Sequence, residues 1–385
     1  GKQENGTKNS HIGYYLIDDG LQTIYKELQY KTSVMSNEAK TKLYIFLICT
    51  ITLGISIFQA VWINKYINNT ALLILSTLLL LIPISELVIQ LINYILGKIV
   101  KPKPIPKLDF YDGIDKENGC MVVIPTIVKS KEKVQELIKK LEVFYLANKS
   151  KNIYFALLGD CSESKKRSEP FDQDVVEEGI KQVDILNKKY ATEEFPIFHF
   201  LYRSRSWNEK ENCYIGWERK RGLLTQFNEY ILGHEESVFK ANTIEEYKEN
   251  KAKGIPNIKY IITLDSDTEL PLNSAFELVG AMAHILNKPV LNKEKNKVID
   301  GHALIQPRVG VSLDISYKNT FTKIFAGSGG IDCYTNAISD VYQDNFGEGI
   351  FTGKGIYDLE VFSKVLKNEI PENTVLSHDL LEGSY

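Results

Sequence analysis

Two long apolar runs near the amino terminus constrain the fold more than any other feature of the sequence. The first, from Leu43 to Trp62, carries no charge, and the second extends from Ala71 to about Leu96. Because roughly 20 residues of helix cover a hydrocarbon core about 30 Å thick, each run is long enough to span a bilayer. Two buried core helices are the alternative, but two such runs in succession favour a helical hairpin in a membrane.

The lysines around these runs predict their orientation. Several lysines lie close to the outer end of each run, whereas the short loop between the runs carries only Lys65. The positive-inside rule therefore places both flanks, and everything after Lys101, in the cytoplasm. A polar, charged segment precedes the first run, which does not fit a cleavable signal peptide.

The sequence predicts four parts along the chain. The proline-rich stretch Lys101–Pro106 is typical of a stiff linker. Since the chain begins at Gly1 rather than Met, and stops inside what reads as a motif, we expect it to be part of a longer protein. The predicted parts are an N-terminal cytoplasmic segment (1–42), two transmembrane or interfacial helices (43–100), a linker (101–118) and a soluble domain (119–385).

Composition limits the classes of partner and site. A chain of 385 residues with 44% hydrophobic content can build a sizeable core, and its net charge of −3 argues against nucleic acid as the partner. The five cysteines include no C-x-x-C pair. A zinc site and a disulfide framework are therefore not expected, and a reducing cytosol is the natural setting.

From Gly119 onward, strand-like and helix-like segments alternate, which predicts an α/β domain with a mostly parallel sheet of nucleotide-binding type. No Walker loop and no G-x-G-x-x-G follows the first strand, which disfavours P-loop kinases and dinucleotide oxidoreductases. The predicted strands are Cys120–Val128, Ile153–Leu158, Phe195–Tyr202, Ile258–Leu264 and one around His302–Val309, and the predicted helices are Glu132–Asn148, Asp174–Tyr190 and Ser274–Asn287.

Asp265 and Asp267 follow the apolar strand that ends at Leu264. Two carboxylates one residue apart at the carboxyl end of a buried strand can bind Mg²⁺ or Mn²⁺ together with the diphosphate of a nucleotide. A turn or a helix cap is the ordinary role of such a pair. An EF-hand loop is disfavoured because Leu270 stands where that loop needs glycine. A phosphatase of the haloacid dehalogenase type, with Asp265 as nucleophile, ranks second. In that family the motif closes the first strand of the domain, whereas here a long α/β stretch precedes it.

Four further residues are candidates for binding or catalysis. Asp160 ends the second strand, where a carboxylate either caps a turn or accepts a hydrogen bond from the uracil ring or ribose of a nucleotide. Lys220 and Arg221 belong to a run of cations ahead of a glycine and a helix, and such a run either faces solvent or holds phosphate oxygens. Asp379 either starts a helix or acts as a general base.

The stretch Gly347–Asp358 contains four glycines, which allow a backbone to approach a ligand closely. Gly353 and Lys354 lie within it, and we take both as candidate substrate-binding residues.

Taken together, these blocks resemble the glycosyltransferase region of bacterial cyclic β-1,2-glucan synthases, in order and spacing across nearly the whole chain. The end of the chain is also similar to bacterial glucosyltransferases that make linear osmoregulated periplasmic glucans and, more distantly, to cellulose synthases. The motifs that carry the resemblance are His11–Asp18, Leu141–Asn148, Trp217–Gly222, Gln306–Arg308, Ser339–Asp344 and Ser377–Asp379.

The resemblance implies an inverting, membrane-embedded transferase with a GT-A fold that takes glucose from UDP-glucose. It implies that Asp160 contacts the uridine, that Asp265 and Asp267 bind Mg²⁺ or Mn²⁺ and the diphosphate, and that Asp379 is the base. Lys220 and Arg221 are weaker candidates for the diphosphate.

The implied partners are the lipid bilayer, a growing β-glucan attached to the protein itself, and further domains of a full-length chain. The implied location is the bacterial inner (cytoplasmic) membrane, with the catalytic domain facing the cytoplasm. Trp207, Tyr214 and Trp217 either stack on sugar rings or pack in the core.

The chain departs from the related synthases in one respect, because the Q-x-x-R-W motif expected after Asp379 is absent. We therefore expect this stretch alone to lack a complete acceptor site. Two other hypotheses stay open: a phosphatase that uses Asp265 covalently, and a non-catalytic membrane scaffold in which the aspartate pair is structural.

Overall fold

The computed structural model describes residues 7–18, 20–30, 35–66, 69–101, 103, 105–190, 195–251, 254–292, 296–310, 317–325, 341–347, 349–375 and 378–385. Of the motifs named above, Ser339, Asp340 and Ser377 lie outside these residues. The chain divides into two compact units, each considered by itself. The first contains the described parts of Gly1–Leu21, Ile105–Pro307 and Ile350–Tyr385, and the second those of Gln22–Pro104 and Arg308–Gly349.

The second unit is built on two long helices, α3 (Asn37–Ile63) and α4 (Thr70–Ile99), which contain the two apolar runs. By length and composition, both helices are able to cross a membrane. The side chains of Ser36 and Asn69 accept hydrogen bonds from the first turns, which explains where the helices begin. Most of their large apolar side chains are exposed, as a lipid-facing helix requires.

The first unit contains a seven-stranded sheet in the order β10-β11-β7-β1-β2-β3-β6. The strands β7, β1, β2 and β3 run parallel to one another, whereas β11 pairs with β7, β6 with β3 and β10 with β11 in the antiparallel sense. Two short hairpins, β4–β5 and β8–β9, lie outside this sheet. The strands are β1 (Cys120–Ile127), β2 (Ile153–Asp160), β3 (Phe198–Arg203), β4 (Ser206–Asn208), β5 (Cys213–Ile215), β6 (Phe239–Asn242), β7 (Tyr260–Thr263), β8 (Val290–Asn292), β9 (Lys297–Asp300), β10 (Leu304–Ile305) and β11 (Gly355–Asp358).

Helices cover both faces of the sheet, which explains why the central strands are apolar at successive positions rather than alternately. In β1, Val122 and Ile124 belong to one buried cluster, while Met121 and Val123 belong to the other. Residues of α5, α6 and α9 complete the first cluster, and residues of α7, α8 and Leu359–Leu366 complete the second. The remaining helices are α1 (Ile12–Ile17), α2 (Gly20–Glu27), α5 (Lys131–Ala147), α6 (Pro170–Lys189), α7 (Arg219–Ile231), α8 (Thr243–Lys251), α9 (Ser274–Ala283), Thr320–Phe325, Val341–Phe346, Leu359–Leu366 and Asp379–Glu382.

The predicted α/β class and the mostly parallel sheet are confirmed, but two details differ. The strand expected around His302–Val309 is reduced to the two residues of β10. The helix expected to reach Asn287 ends at Ala283, because His284 adopts an extended backbone and its side chain accepts from the amide of Leu286.

The start of the chain associates with the sheet unit. The ammonium of Lys8 lies 2.6 Å from Asp300 Oδ2, and the ring of His11 meets the edge of His284 at 5.2 Å between centroids. Residues 7–18, 20 and 21 group with the sheet unit, and the described residues from Gln22 to Lys103 group with the long helices.

A buried histidine makes the stability of the sheet unit depend on pH. His199 in β3 is completely buried, and burial lowers its pKa to about 3 from an ordinary value of 6.5. Its Nε2 lies 2.9 Å from the carbonyl of Pro196, while Nδ1 has no partner among the described residues. An unfolded chain takes up a proton at this site near pH 6.5, so the free energy of unfolding falls as the pH drops below that value.

Because of this histidine alone, we expect the free energy of unfolding to fall by roughly 2 kcal/mol between pH 7 and about pH 5. His199→Gln keeps a donor for Pro196 but does not titrate, so its thermal midpoint should fall less over the same interval. His234→Gln, at a half-exposed position, is the matched control. Equal pH dependence in all three proteins would contradict the prediction.

Candidate active site

The carboxyl ends of the parallel strands meet at one edge of the sheet, and the strand order changes direction there. From β1 the chain proceeds outward to β2 and β3, and it later returns to place β7 on the other side of β1. Such a switch point opens a crevice beyond the strand ends, where open α/β sheets bind their ligands. Asp265 lies two residues past the end of β7, next to this switch point, and Asp160 is the last residue of β2.

Asp265 holds two ammonium groups. Its Oδ1 lies 2.5 Å from Lys220 Nζ, and its Oδ2 lies 2.7 Å from Lys354 Nζ. Burial raises the pKa of Asp265, but the hydrogen bonds from the two lysines outweigh that effect and hold the pKa below its ordinary value. The carboxylate is therefore ionised, and the three groups together carry an excess of positive charge. This excess suits a ligand with two or more negative charges.

Asp267 is exposed, and the turn that carries it is fixed from two sides. Lys140 of α5 donates to the carbonyl of Ser266 at 2.9 Å, and the amide of Thr268 donates to the carbonyl of Asp265 at 3.0 Å. No set of three metal-ligating side chains among the described residues includes Asp265 or Asp267. The donor type nevertheless fits Mg²⁺ or Mn²⁺, which bind through one or two carboxylates and complete their shell with phosphate oxygens and water.

Asp379 lies against Gly353. The backbone of Gly353 has φ +76°, and a Cβ built on it would lie 2.5 Å from Asp379 Oδ1. A side chain at this position is therefore excluded both by the backbone conformation and by the carboxylate. The carbonyl of Gly353 lies 3.4 Å from Lys220 Nζ, which connects Asp379 to the lysine–aspartate cluster. We call Lys220, Asp265, Gly353, Lys354 and Asp379 the edge cluster.

His378 and Glu382 surround the other side of Asp379. Nδ1 of His378 lies 2.8 Å from Glu382 Oε1 and 3.7 Å from Asp379 Oδ1. The Oδ1 atom of Asp379 is buried and has no hydrogen-bond donor among the described residues. The Asp379 side chain as a whole is partly exposed, so a ligand can approach its carboxylate. The sequence analysis assigned no role to His378 or Glu382, although their i, i+4 spacing could have indicated that the two side chains meet.

Asp160 forms a buried ion pair with Arg203, a residue that the sequence reading missed. Nε and Nη2 of Arg203 each lie 2.7 Å from an oxygen of Asp160, and both side chains are almost completely buried. The remaining donors of Arg203 bind the carbonyls of Trp217 and Arg219 at 2.8 and 2.5 Å. A Cβ on Gly216 would lie 2.2 Å from Asp160 Oδ1, so this turn packs directly on the pair. The ion pair thus fixes the turn that precedes Lys220.

The cations predicted ahead of α7 lie inside its first turn, which corrects the expected boundary. Positive side chains are unfavourable at a helix amino terminus, and each of the three has an acidic partner. Arg219 pairs with Glu211 at 2.7 Å, Lys220 with Asp265, and Arg221 with Glu218 at 2.5 Å. Of the two basic candidates here, Lys220 joins the edge cluster, while Arg221 is held by Glu218.

The Asp160–Arg203 pair gives a test on stability. Asp160→Asn leaves the guanidinium of Arg203 buried beside a neutral group, and we expect a loss of about 3–5 kcal/mol in the free energy of unfolding. Arg203→Met should cost a similar amount. Denaturant unfolding in detergent measures both losses. Asp184→Asn, which breaks the exposed pair with Lys188, is the control and should change stability little. A loss in Asp160→Asn no larger than in the control would contradict the buried-pair interpretation.

Comparison with known proteins tests the resemblance inferred from the motifs. No protein-family model matches the chain. Across 97% of its length, the chain is 36% identical to the cyclic beta-(1,2)-glucan synthase NdvB of Rhizobium meliloti (strain 1021), and it spans 13% of the length of that protein. The chain therefore corresponds by homology to one region of a cyclic β-(1,2)-glucan synthase, and the resemblance predicted from its motifs is confirmed.

Proposed function

We propose that this chain is a glucosyl-transferring region that moves glucose from UDP-glucose to a growing β-glucan, with inversion at the anomeric carbon. The observation that carries the proposal is the edge cluster. It combines two ammonium groups, an ionised carboxylate and a second carboxylate at the switch point of a parallel sheet. The homology to a region of a glucan synthase supports glucan as the product, and the strand order supports a GT-A-type nucleotide-sugar domain.

In this proposal, Lys220 and Lys354 bind the diphosphate of the donor. Both ammonium groups already point at one anionic group, Asp265. A diphosphate offers them several oxygens, and the negative charge that develops on departing UDP strengthens those contacts as the sugar bond breaks. Asp160 is the proposed uridine contact on the strength of the family resemblance; in this structure both of its oxygens accept from Arg203. Asp265 and Asp267 hold Mg²⁺ or Mn²⁺, which when bound neutralises charge on the diphosphate.

Asp379 acts as the general base. The acceptor hydroxyl gives its proton to the carboxylate as its oxygen forms a bond to the anomeric carbon, and the bond from that carbon to UDP breaks on the opposite side. One base is sufficient because inversion needs no covalent intermediate. The partial exposure of the Asp379 side chain supports this role, since an acceptor hydroxyl can approach the carboxylate.

The long helices α3 and α4 anchor the transferase in the bacterial inner membrane, with the sheet unit in the cytoplasm where UDP-glucose is made. Their length and composition support membrane insertion, and the lysine distribution supports the orientation. The further partners in this proposal are the growing glucan, carried on the protein itself, and additional domains of a longer chain.

Transfer is tested by UDP release from UDP-glucose, with and without Mn²⁺, by the longest available form of the protein in detergent. Asp379→Asn removes the base, and we expect a loss of about 10²–10⁴-fold in rate. Asp265→Ala removes the anchor of both lysines, and we expect metal-dependent release to be lost as well. Asp184→Asn is the matched surface control and should keep the full rate.

The same variants, with two further measurements, distinguish the alternative functions. Phosphate release from simple phosphoesters, lost in Asp265→Ala but kept in Asp379→Asn, would favour the phosphatase. A protein with no turnover, and with a thermal midpoint unchanged by UDP and Mn²⁺, would favour a scaffold.

Gly353 provides an independent test of the position of Asp379. Gly353→Ala places a methyl group against the carboxylate, so we expect at least about a tenfold loss of UDP release. Gly233→Ala is the matched control, because Gly233 has nearly the same φ (+73°) and no atom within 4 Å of the new methyl group. Both variants carry the same backbone strain. Equal activity in the two would contradict the placement of Asp379 in the reaction.

A further inference from the structure

A second cleft lies outside the edge cluster, on the side of the hairpin β4–β5. It has a volume of about 630 Å³ and is open to solvent. The hairpin, the turn before α7 and residues 372–373 form its walls. The groups that bear on its chemistry are the indoles of Trp207 and Trp217, the amides of Asn208 and Asn373, the carboxylates of Glu209 and Glu372, and the ammonium of Lys210.

Two of the three tryptophans of the chain line this cleft. Trp207 is 49% exposed, and Tyr214 meets it edge-on at 5.0 Å between ring centroids, so the indole is supported without being covered. The alternative role of these aromatics, packing in the core, does not fit a side chain as exposed as Trp207. An indole face held open to solvent is suited to stack on the apolar face of a pyranose ring.

The polar groups of the cleft are fixed by hydrogen bonds across its walls. Nδ2 of Asn208 donates to Asn373 Oδ1 at 2.7 Å, and Lys210 Nζ donates to the carbonyl of Asn373 at 2.6 Å. Glu209 and Glu372 have no ion-pair partner in the part of the chain that the structure describes. Carboxylates and amides accept hydrogen bonds from sugar hydroxyls, whereas a lining with two carboxylates and only one ammonium, Lys210, disfavours a nucleotide diphosphate. The lining therefore favours a neutral glycan over the donor.

The cleft is joined to the edge cluster by the turn before α7. The amide of Asn373 donates to Glu218 Oε1 at 2.6 Å, and the carbonyl of Trp217 accepts from Arg203 at 2.8 Å. Lys220, which holds Asp265, follows on the same turn. The hairpin is anchored as well, since Ser164 and Tyr214 exchange two backbone hydrogen bonds.

We infer that this cleft binds glucose rings of the growing glucan and holds the chain near the edge cluster during transfer. This inference rests on the proposed function for the identity of the glycan. Trp207 and Trp217 stack on ring faces, and the amides and carboxylates bind hydroxyls. The occupant is a neutral β-linked glucose oligosaccharide.

The test uses tryptophan fluorescence of the Trp62→Phe protein in detergent, in which only the two cleft indoles emit. Titration with a β-1,2-linked glucose hexasaccharide should quench this fluorescence in a saturable manner. In the same background, Trp207→Ala should weaken hexasaccharide binding, measured by calorimetry, by about tenfold, as expected for the loss of one stacked ring. Trp207→Phe should restore part of the affinity. Tyr111→Ala, at a position that is 92% exposed, is the matched control and should bind as the parent protein does.

Three results would overturn the inference: no hexasaccharide binding, equal affinity in Trp207→Ala and Tyr111→Ala, or displacement of the hexasaccharide by UDP at the same indoles. Thermal midpoints of the variants establish that each is folded. UDP release is measured separately, so the two ideas can fail independently. Hexasaccharide binding without UDP release would refute the proposed transfer but support glycan binding in the cleft. UDP release without hexasaccharide binding would support the transfer but refute glycan binding in the cleft.

Discussion

The carboxylate of Asp265 lies between the ammonium groups of Lys220 and Lys354, and most of the candidate chemistry depends on this contact. The two lysines come from distant parts of the chain, and two like charges this close need an anion between them. Asp265 supplies that anion in the described structure. Under the proposed function, the diphosphate of the donor takes the place of this anion between the two lysines.

The position of Asp265 follows in turn from the order of the strands. Because β7 joins the sheet beside β1, on the side opposite β2, its carboxyl end opens onto the crevice at the switch point. The antiparallel strand β11 then pairs with β7 directly after Lys354, which brings Gly353 and Lys354 to the same edge. The buried Asp160–Arg203 pair completes the arrangement by holding the turn that leads into α7. One short turn therefore links the Asp160–Arg203 pair to the tryptophan cleft.

Sequence reasoning located much of this site, and the residues that it missed have a common physical cause. Asp265 and Lys220 were found because charges beside apolar strands or helix starts are conspicuous in a sequence. Arg203 was missed because, in the sequence, a cation at the end of an apolar strand indicates only where the strand ends. Its partner, Asp160, becomes apparent only in the structure. His378 and Glu382 were missed for a similar reason, since their relation to Asp379 depends on a short helix that no long periodic pattern announces. Arg221 was proposed with Lys220 because the two are adjacent, but neighbours on a helix point in different directions.

The sequence by itself determined the membrane-length helices, the α/β class and the carboxylates at strand ends, because each of these follows from local hydrophobic periodicity and from residue type. Only the tertiary structure decided which of those carboxylates meet which cations, because such contacts depend on strand order and on close backbone approaches. The strand at Gly355–Asp358 illustrates the difference. The sequence pattern predicted no secondary structure for it, yet it is a buried strand between β7 and β10, since pairing with both neighbours satisfies its backbone.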